Sequence, residues 1–163
     1  MKRAAITATL LVALSSLVLG QGGKPAPKLA LKDVEGRALR LSDYEGKVVL
    51  LNFWATWCAP CRAEMPDLVK WQREYKSRGL QVIGVACPPE ELSEVREFIK
   101  SIKVNYPVAL GDERTKALFD KSEILPTTVV IDKKGVIREV VHGILFSDEF
   151  EQKVKPLFLP KGH

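Results

Sequence analysis

Between positions 28 and 41, apolar and polar residues alternate on either side of Val34-Glu35-Gly36-Arg37, which predicts a hairpin of Lys28 to Lys32 with Ala38 to Leu41. Ser42 to Lys47 follows as a capped turn or short helix. Val48 to Trp54 (VVLLNFW) and Leu80 to Ala86 (LQVIGVA) are nearly continuous apolar runs, the pattern of strands covered on both faces. Between them Met65, Leu68, Val69, Trp71, Gln72 and Tyr75 recur at steps of three and four and predict a helix from Ala59 to about Ser77, ended by Gly79. Pro60 suits its first turn, where the missing N–H has no intrahelical partner. Pro66 lies deeper and is expected to kink it, because the Arg62 carbonyl loses its donor.

Further along, Ser93 to Ile102 and Arg114 to Lys121 read as helices, with a short extended piece at Tyr106 to Leu110 between them. Thr127 to Ile131 and Val136 to Val141 flank Asp132-Lys133-Lys134-Gly135 and form a second hairpin, and Ser147 to Phe158 closes the chain as a helix. The order predicts an α/β sandwich with a mixed central sheet.

The first 20 residues break this pattern. Lys2 and Arg3 precede an apolar stretch from Ala4 to Leu19, with small residues Val18 and Gly20 before Gln21, so 1–20 reads as an export signal or an N-terminal membrane anchor. Residues 21–27 are Gly/Pro-rich and read as a linker; the folded domain is expected over 28–159. The 163 residues are 46% hydrophobic, enough for one packed core, and the net charge of +5 is spread without a basic stripe among aromatics, which argues against a nucleic-acid partner. Export places the chain in a periplasmic or other extracytoplasmic space, free or held at the inner membrane through residues 4–19.

Export also changes the meaning of the 3 cysteines, Cys58, Cys61 and Cys87, because disulfides persist outside the cytosol. Cys58-Ala59-Pro60-Cys61 could hold a metal, form a staple or exchange electrons. Zinc would need two more ligands, and Cys87, His142 and His163 lack paired spacing. A staple across so short a loop constrains almost nothing in the unfolded chain. Neither a metal nor a cofactor is therefore called for. Cys87, before Pro88-Pro89, reads as a small buried hydrophobe, with an auxiliary or glutathionylated thiol as its functional alternative. His142 and His163 read as surface residues.

Asn52 to Pro66 (NFWATWCAPCRAEMP) and Leu125 to Asp132 (LPTTVVID) resemble the thioredoxin-like superfamily, and most closely its exported TlpA/ResA/CcmG branch of thiol-disulfide oxidoreductases. The resemblance covers roughly residues 28–156. It implies a thioredoxin-like three-layer sandwich, a mixed sheet with an N-terminal β-hairpin, and a helix–strand insertion over Glu90 to Asp120. It also implies that Cys58 and Cys61 form a redox-active disulfide, Cys58 as the exposed attacking sulfur and Cys61 as the buried resolving one. Pro126 is implied to be cis. Asn52 stands where thioredoxins keep a buried aspartate, and an amide cannot shuttle a proton; this branch instead has a carboxylate at the position of Glu64.

On that reading the Cys58 sulfur lies near the free N–H groups of the helix start, which lower its pKa and favour the thiolate that exchange requires. Cys58 attacks a client disulfide and Cys61 then releases the reduced client. Glu64 is the candidate acid/base group, its alternative being a solvated surface carboxylate. Trp57, Pro60, Leu125, Pro126 and Thr127 are expected to receive an extended client segment beside Cys58. Ala59-Pro60 looks more like the Gly-Pro of reducing members than the Pro-His of oxidising ones. The expected activity is reduction of client-protein disulfides, apocytochrome c among them, with electrons from a membrane thiol carrier of the CcdA/DsbD type. Two alternatives stand beside it: a peroxiredoxin-like peroxidase, which shares the Gly46-Lys47-Val48 lead-in but lacks the proline expected before its cysteine, and a redox-independent chaperone.

Overall fold

The computed structural model describes residues 23–87 and 90–158. The signal or anchor read at 1–20 lies outside them, and among the described residues no helix is long and apolar enough to cross a membrane.

The fold is a three-layer α/β sandwich. In chain order it comprises β1 (Lys24–Pro25), β2 (Ala30–Lys32), β3 (Ala38–Arg40), β4 (Val48–Trp54), α1 (Ala59–Tyr75), β5 (Leu80–Ala86), α2 (Leu92–Ser101), β6 (Val108–Leu110), α3 (Glu113–Phe119), β7 (Thr127–Ile131) and β8 (Val136–His142). Then come α4 (Ser147–Glu149), a π-helical stretch (Phe150–Val154) and α5 (Lys155–Phe158). The main sheet has the order β1-β8-β7-β4-β5-β6, while β2 and β3 pair as a separate hairpin. At its centre β4, buried along its whole length, runs parallel to β5 from Val48↔Leu80 to Trp54↔Ala86 and antiparallel to β7. A continuously apolar strand can sit only there, because it must be covered on both faces.

Each face of the sheet collects one apolar cluster. Val48, Leu50 and Trp54 point toward α1, α2 and the C-terminal helical segment, where Met65, Leu68, Trp71, Val95 and Phe150 complete the core. Val49, Leu51 and Phe53 point the other way, toward Phe119 of α3 and Leu29 and Leu39 of the hairpin. Trp71 stacks on Phe150 with centroids 4.2 Å apart.

Two elements differ from the expectation. The segment 21–27 is no free linker over its described part: Lys24 and Pro25 pair with Ile137 and Val136, and the Ala26 N–H donates to the Gly135 carbonyl at 2.8 Å. An edge strand tolerates proline because its outer side has no ladder to fill. The closing helix is also not uniform. Its widened π stretch falls directly before Pro156, which cannot donate to the Gln152 carbonyl and whose ring crowds it.

Gly79, at φ 96°, ends the 3-10 turn that follows α1 and sends the chain into β5. Gly79→Ala keeps the space but not the backbone freedom, since a left-handed residue with a Cβ costs about 1–2 kcal/mol. We expect a loss of stability of that size by urea unfolding, with exchange activity unchanged in the folded fraction.

Candidate active site

The turn between β4 and α1 carries the two cysteines. Leaving the sheet after Trp54, the chain reaches Cys58 in an extended conformation (φ −81°, ψ 105°), and Cys58 serves as the N-cap of α1. The Cys61 N–H donates to the Cys58 sulfur at 3.3 Å. Cys58 and Cys61 form a disulfide, with Cα atoms 5.3 Å apart. Pro60 occupies the exposed first turn.

Cys58 is only 5% exposed and Cys61 1%, so the expected openness of the attacking sulfur is corrected. Both belong to the core cluster on the α1 face, and the Cys58 sulfur turns back toward its own helix. The apolar group offered to solvent here is Trp57, at 66% exposure.

Glu64, one turn beyond Cys61, is not a solvated carboxylate. It is 1% exposed; the Leu145 N–H donates to Oε1 at 2.7 Å and the Asn52 amide donates to Oε2 at 2.9 Å. The same amide nitrogen also donates to Thr128 Oγ1 at 2.9 Å. Burial pushes the Glu64 carboxyl from its ordinary 4.5 up to about 7, although these two hydrogen bonds favour the charged form and oppose the shift. The Asn52 amide thus holds a buried carboxylate in place. The Leu145 donor lies 81 residues away in sequence and has no local signal.

The loop before β7 closes the other side. The Leu125–Pro126 bond is cis, as the resemblance implied. The Gly143 N–H donates to the Pro126 carbonyl at 2.8 Å. Leu125 is half-buried, and Thr127 is fully buried with its hydroxyl donating to the Ile124 carbonyl at 2.7 Å. The Thr127 side chain thus braces the loop instead of facing a client. On the approach to Cys58, the Thr56 N–H donates to Glu90 Oε1 at 2.9 Å, a clamp across sequence that the motif did not announce.

Cys87 follows its strand at the same sheet edge as Cys58, with its N–H donating to the Trp54 carbonyl at 2.8 Å, but its side chain lies on the opposite face. It is 2% exposed, and its thiol donates to the Asp112 carbonyl at 3.4 Å. Burial, reinforced by the charge of Asp112, pushes this thiol up to about 12, so it stays protonated. Trp57, Cys87 and Leu125 nevertheless share a groove of about 420 Å³ with residues of α3 and the following loop.

His142 is exposed, as its sequence context suggested, and its Nε2 lies 3.2 Å from Asp120 Oδ1. Lys116, 6% exposed, donates to Asp120 Oδ2 at 2.8 Å, and Ser122 donates to the same carboxylate. Burial would raise the Asp120 carboxyl, but these hydrogen bonds outweigh it and hold the group well below the usual carboxylate range. The network ties the end of α3 to β8 around the segment leading into Pro126.

A strand-ending Trp-Cys-x-Pro-Cys, its sulfurs joined at a helix start and a cis-proline loop at the same sheet edge, defines the class of a dithiol-disulfide exchange site. The AhpC/TSA family profile matches residues 22–140, and the chain belongs to that family. It is 40% identical over 136 residues to the thioredoxin-like protein YneN of Bacillus subtilis, covering 82% of this chain and 79% of that protein. The thiol-disulfide oxidoreductase ResA of the same organism is 39% identical over 124 residues, covering 76% of this chain and 68% of ResA. Among solved structures, a thiol:disulfide interchange protein of Chlorobium tepidum superposes with a TM-score of 0.77 at 31% identity, covering 85% of this chain and 99% of that one. The secreted thiol-disulfide isomerase of Corynebacterium glutamicum gives 0.75 at 27% identity, over 82% of this chain and 84% of its own. The protein is a thiol-disulfide oxidoreductase of the ResA type with a Cys58–Cys61 pair.

Proposed function

We propose that this protein is exported and reduces disulfides in client proteins, with apocytochrome c as a client and a CcdA/DsbD-type membrane thiol carrier as the electron donor. The observation that carries the mechanism is the juxtaposition at the start of α1: a sulfur receiving the Cys61 N–H, and a buried carboxylate one turn beyond Cys61. The Cys58 thiolate attacks the client disulfide, one client sulfur leaves, and a mixed disulfide forms. The Cys61 thiol gives its proton to the Glu64 carboxylate, and the resulting thiolate attacks the Cys58 sulfur. The second client sulfur departs with the electron pair, both client thiolates take protons from solvent to give the dithiol, and this protein is left as the disulfide.

Helix-start N–H groups and the dipole favour the Cys58 thiolate, and Trp57 offers apolar area to an approaching segment. Export is supported by the charged and apolar pattern of 1–20, and the direction of electron flow by Ala59-Pro60 between the cysteines. Equilibration with a glutathione redox buffer tests the direction. A reductant has a potential toward the roughly −270 mV of thioredoxin; a value near the roughly −120 mV of a strong oxidant reverses the assignment.

A further inference from the structure

Lys116 and Asp120, at the end of α3, form a buried ion pair: their side chains are 7% and 14% exposed, and the ammonium donates to Asp120 Oδ2 at 2.8 Å. A buried pair of this kind adds little stability over apolar side chains of the same volume. Lys116 also donates to the Ser122 carbonyl and, at 3.4 Å, to the Ser122 hydroxyl. That hydroxyl donates in turn to Asp120 Oδ2, and His142 Nε2 lies 3.2 Å from Oδ1. The three N–H groups of the ammonium and both carboxylate oxygens are thus engaged within the chain. The cluster keeps no donor for a ligand; it joins a helix end, a loop and a strand to one another.

Those three pieces border the exchange site. Asp120 caps the C-terminus of α3 and begins the loop 120–126, which ends at Pro126 where β7 starts. His142 stands in register with Thr127, the residue after Pro126. The Asp120–His142 contact therefore returns the start of the loop to the strand that flanks its end. At that end the Gly143 N–H donates to the Pro126 carbonyl at 2.8 Å, and the Thr127 hydroxyl to the Ile124 carbonyl at 2.7 Å. Two consecutive residues, His142 and Gly143, thus hold both ends of the loop. Lys116, Asp120, Ser122 and Leu125 line one groove with Trp57, the neighbour of Cys58. The reacting groups are held by other partners: Glu64 by Asn52 and Leu145, and the Cys58 sulfur by the Cys61 N–H.

We propose that Asp120 is a positioning residue for client recognition: by gathering Lys116, Ser122 and His142 it holds the loop from Asp120 to Pro126 in the shape that receives a client segment beside Trp57. This rests on protein disulfides being the substrates. A segment that docks on the loop through main-chain hydrogen bonds binds best when the loop backbone is already fixed. Without the cluster the loop is anchored at its Pro126 end alone. A loop in the receiving shape about a tenth of the time raises the apparent KM about tenfold, because affinity scales with the competent fraction. A small disulfide needs only the Cys58 sulfur, so the rate of its reduction does not depend on the loop. That difference separates positioning of the client from a part in the chemistry.

The test compares two substrates of the full chain: a synthetic peptide closed by the disulfide of a Cys-x-x-Cys-His sequence, and a small aromatic disulfide. Asp120→Ala leaves the Lys116 ammonium buried without its carboxylate, so Lys116→Met/Asp120→Ala, which removes both charges, is measured beside it. We expect each to raise KM for the peptide about tenfold, with kcat and the rate on the small disulfide unchanged. His142→Ala should raise KM in the same direction, and His142→Gln, whose amide can still donate to Asp120, should restore it. A folded double variant, or His142→Ala, with the wild-type KM overturns the positioning role and leaves the client reading standing. Equal losses on the peptide and the small disulfide also overturn it, since the cluster would then act on the cysteines. A wild type that reduces the small disulfide but shows no saturation with the peptide overturns the client reading and the inference together.

Discussion

With Cys58 replaced by serine, disulfide exchange falls to the uncatalysed background, whereas Cys61→Ser retains the first attack and stalls as a mixed disulfide. The asymmetry follows from position. Cys58 caps α1 and its sulfur receives the Cys61 N–H at 3.3 Å, so a negative charge on that sulfur is stabilised by the helix start. Serine keeps the cap but its hydroxyl does not ionise near neutral pH, so the nucleophile is lost while the fold remains. Cys87→Ser, by contrast, leaves exchange intact, because that thiol is buried on the other face of the sheet and held protonated. Stopped-flow exchange against a small aromatic disulfide separates the three variants, the first-turnover burst surviving only in Cys61→Ser and Cys87→Ser.

Glu64→Gln is expected to lower the rate of the resolving step by about a hundredfold, at the lower end of what a positioned acid/base group contributes. It should also remove the rate inflection near pH 7 that the raised carboxyl produces. A second, independent readout is stability. The folded carboxyl titrates at about 7 and the unfolded one near 4.5, so below pH 4.5 both states are protonated and this group's full contribution to stability is present. As the pH rises through that window the unfolded state ionises first and is favoured. About 3 kcal/mol of stability is lost by pH 7, because each pH unit between the two titration points is worth about 1.4 kcal/mol. Glutamine carries no charge at any pH, so the urea midpoint of Glu64→Gln should be flat where the wild type declines. A parallel decline in both proteins would show that Glu64 titrates normally and is no proton acceptor for Cys61.

The sheet was legible because its strands are local patterns: Val48–Trp54, Leu80–Ala86 and Thr127–Ile131 begin and end where the apolar runs do. What escaped depends on pairing at long range. Lys24–Pro25 looks like a linker because proline and glycine dominate its composition, yet an edge position beside β8 needs little more than an extended backbone. Glu64 was visible as a carboxylate near the cysteines, but its burial and its Leu145 donor arise only when the segment after β8 folds back onto α1. Cys87 reads as a small buried residue and is one, but which face of the sheet its side chain takes depends on the alternation along β5. The His142–Asp120 pair and the buried Lys116 belong to the same class, contacts between elements whose partners share no motif.

Mapping the adduct formed when reduced Cys61→Ser meets a client disulfide decides between these roles. Peptide mass spectrometry should find the client joined to Cys58 in a single mixed disulfide that free dithiol releases. An adduct on Cys87, or no adduct at all, would contradict the assignment of Cys58 as the attacking sulfur.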